Sequence, residues 1–241
     1  MRSLLYISIL PVVILLLYVY KKDIDKEPRK MLAKIFFLGC LSTVLALFLE
    51  EELDSIFSTD YINDFGTIFI YTIFGIGLPE EISKWLVVRM NAYNNKEFDH
   101  RYDAIVYSVF SGLGFACIEN IIYVLSENYG IGILRALIAV PSHACNAVIM
   151  GYFLGLAKEN YYKGNYNKEY IFKVLSLLMP ALNHSLYDAL IEYYVSSKLM
   201  IIFFIFIAEV ILIYIICFKI INKVSRIKEN LYEKSNYIEY L

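Results

Sequence analysis

The sequence predicts an all-α, polytopic integral membrane protein with about seven transmembrane helices. Three observations lead there. Of the 241 residues, 59% are hydrophobic and only 19% are charged, and the mean hydropathy is +0.56. A soluble domain is nearer ~45–50% apolar and ~25% charged. The apolar residues also gather into seven stretches, 3–20, 31–50, 65–88, 102–125, 130–157, 170–194 and 198–221, each about the 20 residues a helix needs to cross hydrocarbon. Finally, Lys and Arg fall in alternate connections.

The first stretch has a basic start of only Arg2, and no small-residue cleavage site precedes Lys21-Lys22, so it is expected to be a permanent span and not a secretory signal. The connection after it holds Lys21, Lys22, Lys26, Arg29 and Lys30. The next, Glu51 to Asp64, is acidic without Lys or Arg. Arg89, Lys96 and Arg101 mark the third, Ser126 to Ile133 has none, and Lys158, Lys163 and Lys168 fill the fifth. The sixth has only Lys198, and the tail is basic. The positive-inside rule then places the N-terminus outside and the C-terminus in the cytoplasm. The chain reads as one membrane domain, 1–241, with residues 222–241 a cytoplasmic tail, either an amphipathic helix or disordered. A net charge of −2 gives no reason to expect a nucleic-acid partner; the bilayer is the surroundings. The four cysteines form no CxxC pair and are expected to be small packing residues.

Within the spans, ionisable residues are costly: a charge at the centre of a membrane helix costs at least ~3 kcal/mol on insertion scales. The third stretch carries Glu80, Glu81 and Lys84 in GIGLPEEISKWLVVR. The fourth carries Glu119, four residues after Phe115, the fifth His143, the sixth Asn183, His184 and Asp188, and the seventh Glu209. The first two have none near their centres and are expected to be peripheral. Spacing of four puts Glu80 with Lys84, Phe115 with Glu119 and His184 with Asp188 on shared helix faces. Lys84 is therefore expected to offset Glu80, and Asp188 to orient His184. Glu81 is rotated about 100° from Glu80, so one carboxylate should face a cavity and the other a neighbouring helix. Glu80, His143 and His184 lie about 15, 13 and 10 residues from the outer ends of their spans, close to one height at 1.5 Å per residue. A single polar cavity between spans 3–6 follows.

Pro79, Pro141 and Pro180 precede Glu80, His143 and His184 by one, two and four residues; a proline removes a backbone hydrogen bond and loosens the turn before it. Gly75, Gly77, Gly112 and Gly114 allow close helix approach. His100 reads as a solvated loop residue, and Glu209 as a snorkelling or helix-pairing one. Ser142 and Cys145 lack a nucleophile-and-base arrangement. Two histidines with several carboxylates suit peptide-bond hydrolysis: a desolvated carboxylate acts as base toward water, and other polar groups stabilise the oxyanion. The same residue types can bind Zn²⁺, although no HExxH is present. A proton-coupled transporter and a non-catalytic scaffold are the alternatives; no internal repeat of the kind transporters carry is visible.

EEISK at 80–84, FACIE at 115–119, the lone His143 and HSLYD at 184–188 resemble, in order, the EExxK, FxxxE, histidine and HxxxD motifs of the PrsW proteases. The resemblance covers about residues 70–190. It implies a membrane-embedded endopeptidase of the bacterial cytoplasmic membrane, in the superfamily of the CAAX-processing proteases and APH-1. The implied substrate is a single-span anti-sigma factor, cut at its extracytoplasmic side in the first step of sigma-factor activation. The candidate catalytic residues are Glu80, Glu81, His143 and His184, supported by Lys84, Phe115, Glu119 and Asp188. Either no metal takes part, or Zn²⁺ sits on Glu80, His143, His184 and Glu119.

Overall fold

The computed structural model describes residues 2–54, 64–126 and 129–231, and these are helical with short turns. In chain order the helices are α1 (Arg2–Lys22), α2 (Arg29–Asp54), α3 (Phe65–Thr72), α4 (Leu78–Asn91), α5 (Arg101–Ser126), α6 (Tyr129–Leu137), α7 (Ala139–Tyr162), α8 (Tyr166–Ser197) and α9 (Met200–Val224). Six segments are long and apolar enough to cross a membrane, Arg29–Leu53, Phe65–Asn91, Arg101–Leu125, Ile133–Tyr162, Tyr166–Ser197 and Met200–Val224. The 21-residue α1 coincides with the remaining expected span. Most of the tail, beyond residue 231, lies outside the described residues, as does most of the connection 51–64.

Two of the expected spans are broken, each beside a proline. The third is α3 and α4 joined through a π-helical turn, Ile73–Gly77, in which the Leu78 N–H donates to the Ile73 carbonyl. Pro79 has no N–H for the carbonyl four residues back, and one wider turn absorbs the mismatch. The fifth breaks at Ile138 between α6 and α7, so Pro141 sits in the first turn of α7, where a missing N–H costs nothing. Pro180, by contrast, lies inside an α8 that runs unbroken for 32 residues.

α5 and α7 form the centre; 72% of the α5 apolar window is buried, against 17% for α9 at the edge. A Cβ on Gly151 of α7 would stand 2.5 Å from the Ile105 Cα of α5, so these two backbones meet with no side chain between them. Tyr107, Ile105, Leu113, Met150 and Leu154 fill the rest of this core. α2 is not the peripheral helix its apolar sequence suggested: it packs along α5 and α4, and its Thr43, Ala46, Leu47 and Glu50 line an internal cavity. The cysteines are unpaired, in keeping with a packing role.

α4 is pinned by side chains as well as by packing. Trp85 Nε1 donates to Ser176 Oγ of α8 at 2.9 Å, and Ser111 Oγ of α5 donates to the Lys84 carbonyl at 3.0 Å. Thr72 Oγ1 donates to the Ser185 carbonyl while Ser185 Oγ donates to the Thr72 carbonyl, at 3.0 and 3.2 Å. A Cβ on Gly77 would lie 2.3 Å from Ser185 Oγ and 2.9 Å from the Ala181 carbonyl. Glycine there lets the π turn lie directly on α8, one residue from His184.

At the end of the bundle where α1 stops and α2 begins, Asp23 and Glu27 are buried, and Tyr107 donates its hydroxyl to Glu27. Burial holds the Asp23 carboxyl up to about 6 and that of Glu27 up to about 8. Both values exceed those of an unfolded chain, so the folded protein binds more protons between pH 4 and 8 and the associated stability is lost as pH rises. We expect the unfolding temperature in detergent to fall between pH 5 and pH 9, and Glu27→Gln to flatten that fall. A pH profile of Glu27→Gln parallel to wild type would contradict this.

Candidate active site

Glu80 and Glu81 open the first turn of α4 just after the π turn. Lys84, one turn on and 1% exposed, bridges them: its Nζ lies 2.8 Å from Glu80 Oε2 and 2.8 Å from Glu81 Oε1. The third Nζ contact is His143 Nδ1 at 3.2 Å, and the Phe115 ring of α5 stands 4.1 Å from Nζ. An ammonium has only donors, so His143 Nδ1 must accept, which leaves the ring proton on Nε2. Nε2 lies 2.7 Å from Glu119 Oε2, and Glu119 Oε1 is in turn held at 2.6 Å by Arg135 of α6. Phe115 is thus more than packing: its face carries the Lys84 charge.

His184 of α8 completes the group. Its ring is 5.1 Å from that of His143, edge to face. Nδ1 is 3.0 Å from Glu81 Oε1, and Nε2 is 3.4 Å from Asp188 Oδ2. Nδ1 is thus hydrogen-bonded to Glu81, whereas Nε2 faces Asp188 Oδ2 without a hydrogen bond. Glu80 Oε2 is 3.8 Å from His184 Nδ1 and 4.0 Å from His143 Nδ1. The eight candidate catalytic and supporting residues therefore meet in one cluster from α4, α5, α7 and α8.

The cluster borders a cavity of about 300 Å³ whose walls include Glu80, Glu119, His143, His184 and Asp188. The rotation between the adjacent glutamates is realised here. Glu80 lines the cavity, whereas Glu81 is 0% exposed and sits behind it with Lys84. Glu81 Oε2 is buried without a hydrogen-bond partner.

Several cavity residues escaped the sequence reading. Arg135 belonged to the ionisable residues of the fifth span and was legible by the same criterion as His143. Glu50 stands at the last position of its apolar stretch, away from the span centres in which ionisable residues were sought. Asn146, which accepts from Asn183 Nδ2 at 2.8 Å, carries no charge and so gave no signal. Glu209 is not part of the cluster; both of its carboxylate oxygens are buried without a hydrogen-bond partner.

The chain matches the model of the PrsW family, described as intramembrane metalloproteases, over residues 27–216. It belongs to that family. A protease PrsW of Oceanobacillus iheyensis is 37% identical over 214 residues, covering 89% of this chain and 94% of the relative. That of Bacillus subtilis is 34% identical over 189 residues, covering 78% and 82%. That of Clostridioides difficile is 32% identical over 208 residues, covering 83% and 85%. No solved structure matches the chain significantly. As a PrsW-family member the chain is a bacterial multi-pass membrane protein and an intramembrane protease.

The family description raises the question of a metal. Glu80, Glu81, His143 and His184 each offer one ligand atom, and these atoms all lie within 4.8 Å of one another. Two imidazoles with carboxylates suit zinc, and the orphaned Glu81 Oε2 is an oxygen in want of a cation or a donor. In donor chemistry the site fits, although Lys84 already draws on the same atoms of Glu80, Glu81 and His143. Glu119 stands outside this quartet, on the opposite nitrogen of His143, in the position from which a carboxylate orients a ligand imidazole.

Proposed function

We propose that this PrsW-family protein is an endopeptidase that cuts a single-span anti-sigma factor on its extracytoplasmic side, with Glu80 as the base. The observation that carries this reading is that Glu80, and not Glu81, borders the cavity while two imidazoles stand within about 4 Å of its carboxylate. The substrate class rests on the motif resemblance, and a membrane-spanning substrate suits a site built between helices.

Glu80 takes a proton from a water held beside it, and the water oxygen attacks the scissile carbonyl carbon. His184 keeps Nδ1 on Glu81 and uses Nε2–H, which forms no hydrogen bond to Asp188 Oδ2, to donate to the oxygen on which negative charge develops. His143, its Nδ1 bound to Lys84, is oriented by Glu119 and Arg135 to shape the same pocket. Protonated Glu80 then delivers its proton to the leaving amine, so the carboxylate is regenerated. Lys84 and Glu81 hold the geometry from behind. If the protein carries zinc, Glu80, His143 and His184 would hold it, with Glu81 in reach, and the ion would supply Lewis-acid polarisation and a more acidic water.

The test is co-expression with a tagged anti-sigma factor, beside metal analysis of the purified protein. Site-1 cleavage should be seen with wild type and lost in His184→Ala. If the metal takes part, a chelator should abolish cleavage and zinc restore it. Full activity of metal-free protein would leave Glu80 and the histidines to act unaided. Complete cleavage by His184→Ala would sink the site assignment, and an intact anti-sigma factor beside an active enzyme would sink the substrate.

A further inference from the structure

α1 and α2 both pack along α5 and leave between them an apolar groove of about 480 Å³. Leu17 and Tyr20 of α1 form one wall, Ala33 and Phe37 of α2 the other, and Phe110 of α5 the floor. Leu17 is 50% and Phe37 65% exposed, so the groove lies open to the lipid side of the bundle. Arg29, the first residue of α2, stands at its end and is the one charged residue among its described walls. From Arg29 to Phe37 is eight residues, about 12 Å at 1.5 Å per residue. Half of a hydrocarbon core of ~30 Å is ~15 Å, so the groove has the depth of one leaflet.

The charges at this end are sorted by face. Residues 21–34 hold six Lys or Arg and three acidic residues, and the positive-inside rule puts them on the cytoplasmic side. The acidic residues look away from the groove. Glu27 is buried and accepts the Tyr107 hydroxyl, while Asp23 and Asp25 line a separate small cavity with His100. His100, with a side chain only 16% exposed, is accordingly not the solvated loop residue its sequence suggests. The cations stay on the groove side. Lys26 Nζ donates to the Tyr20 carbonyl at 2.6 Å and stands 5.0 Å from the centre of the Tyr20 ring, which brings a second positive charge to the mouth. Arg29, Lys30 and Lys34 are exposed and form no ion pair among the described residues.

We propose that the groove between α1 and α2 binds an anionic phospholipid of the cytoplasmic leaflet, its phosphate on Arg29 and one acyl chain between Leu17 and Phe37. A basic pocket between membrane helices on the cytoplasmic side is the arrangement that anionic headgroups recognise. The guanidinium offers a planar fork of donors that matches a phosphate, and Lys26 adds a point charge beside it. The apolar walls take the chain, so headgroup and tail are met at the two ends of one groove. The bound chain fills the gap between α1 and α2 and braces both against α5, the helix that carries Phe115 and Glu119.

The site is tested on the purified full-length protein in non-ionic detergent, given phosphatidylglycerol or phosphatidylcholine with the same acyl chains. Lipids retained per molecule are counted by native mass spectrometry. One phosphatidylglycerol should be held in preference to phosphatidylcholine, by about fivefold or more, and should raise the unfolding temperature. Arg29→Gln should cut that preference about fivefold, the effect of one Lys or Arg beside an anionic headgroup. Ala33→Trp, which fills the groove without altering charge, should abolish retention of the tightly held lipid. Lys96→Gln removes a charge on the same side of the membrane, from a side chain 89% exposed, and should leave the preference unchanged. Equal retention of the two lipids by wild type would overturn the proposal. So would a wild-type preference in Arg29→Gln, undiminished retention in Ala33→Trp, or an equal loss in Lys96→Gln, which would reduce the effect to net charge.

Discussion

Glu80→Gln is expected to lower cleavage of a membrane-anchored substrate by about 10²–10⁴-fold, the range that a positioned general base contributes, while the protein still accumulates and unfolds near the wild-type temperature. The amide keeps the shape of the carboxylate and can accept from Lys84 Nζ, which lies 2.8 Å from Glu80 Oε2, but it cannot take a proton from water. Glu81→Gln should behave differently. Glu81 is fully buried and holds both Lys84 and His184, so its loss should reduce stability together with activity. Accumulated substrate and product, read on the same membranes as the amount of folded enzyme, separates the two roles. Cleavage by Glu80→Gln within tenfold of wild type, or a Glu81→Gln protein that is fully stable yet inactive, would reverse the assignment.

Lys84→Met is the second large effect, and it acts on stability. The ammonium is the only cation within hydrogen-bond distance of either carboxylate among the described contacts of the α4 pair, apart from His184. Removing one partner of a buried ion network leaves uncompensated charge and typically costs about 3–5 kcal/mol, a large part of the roughly 5–15 kcal/mol that holds an ordinary domain together. The Phe115 face would also lose its cation. We expect a clear drop in unfolding temperature in detergent and low steady-state amounts in membranes. Lys84→Met combined with Glu81→Gln should recover part of the loss, because the second change removes one of the stranded charges. Wild-type unfolding of Lys84→Met would show that the ammonium does not hold the pair.

Residue types and spacing already contained much of this picture. The four-residue intervals in EEISK and HSLYD were realised as the Lys84–Glu80 and His184–Asp188 contacts, because a helix returns to the same face after about one turn whatever surrounds it. Pro79 marked the local loosening, and the depth argument brought Glu80, His143 and His184 together. The misreadings share a cause. α2 was set aside for lack of central charges, yet Glu50 at its end reaches the cavity wall. Arg135 of α6 reaches Glu119 of α5 across the bundle, a contact that residue spacing within one helix does not reveal.

By itself, then, the sequence determined that the protein is helical and membrane-spanning, which residues are too costly to bury without purpose, and the family to which they belong. These properties follow from composition and from local helix geometry. The tertiary structure alone decided that Glu80 faces the cavity and Glu81 the interior, that Lys84 Nζ bridges both and reaches His143, and that Glu119 sits on the far side of that histidine. Such relations depend on how α4, α5, α7 and α8 approach and rotate against one another, and the side-chain packing that sets those approaches is distributed over the whole bundle.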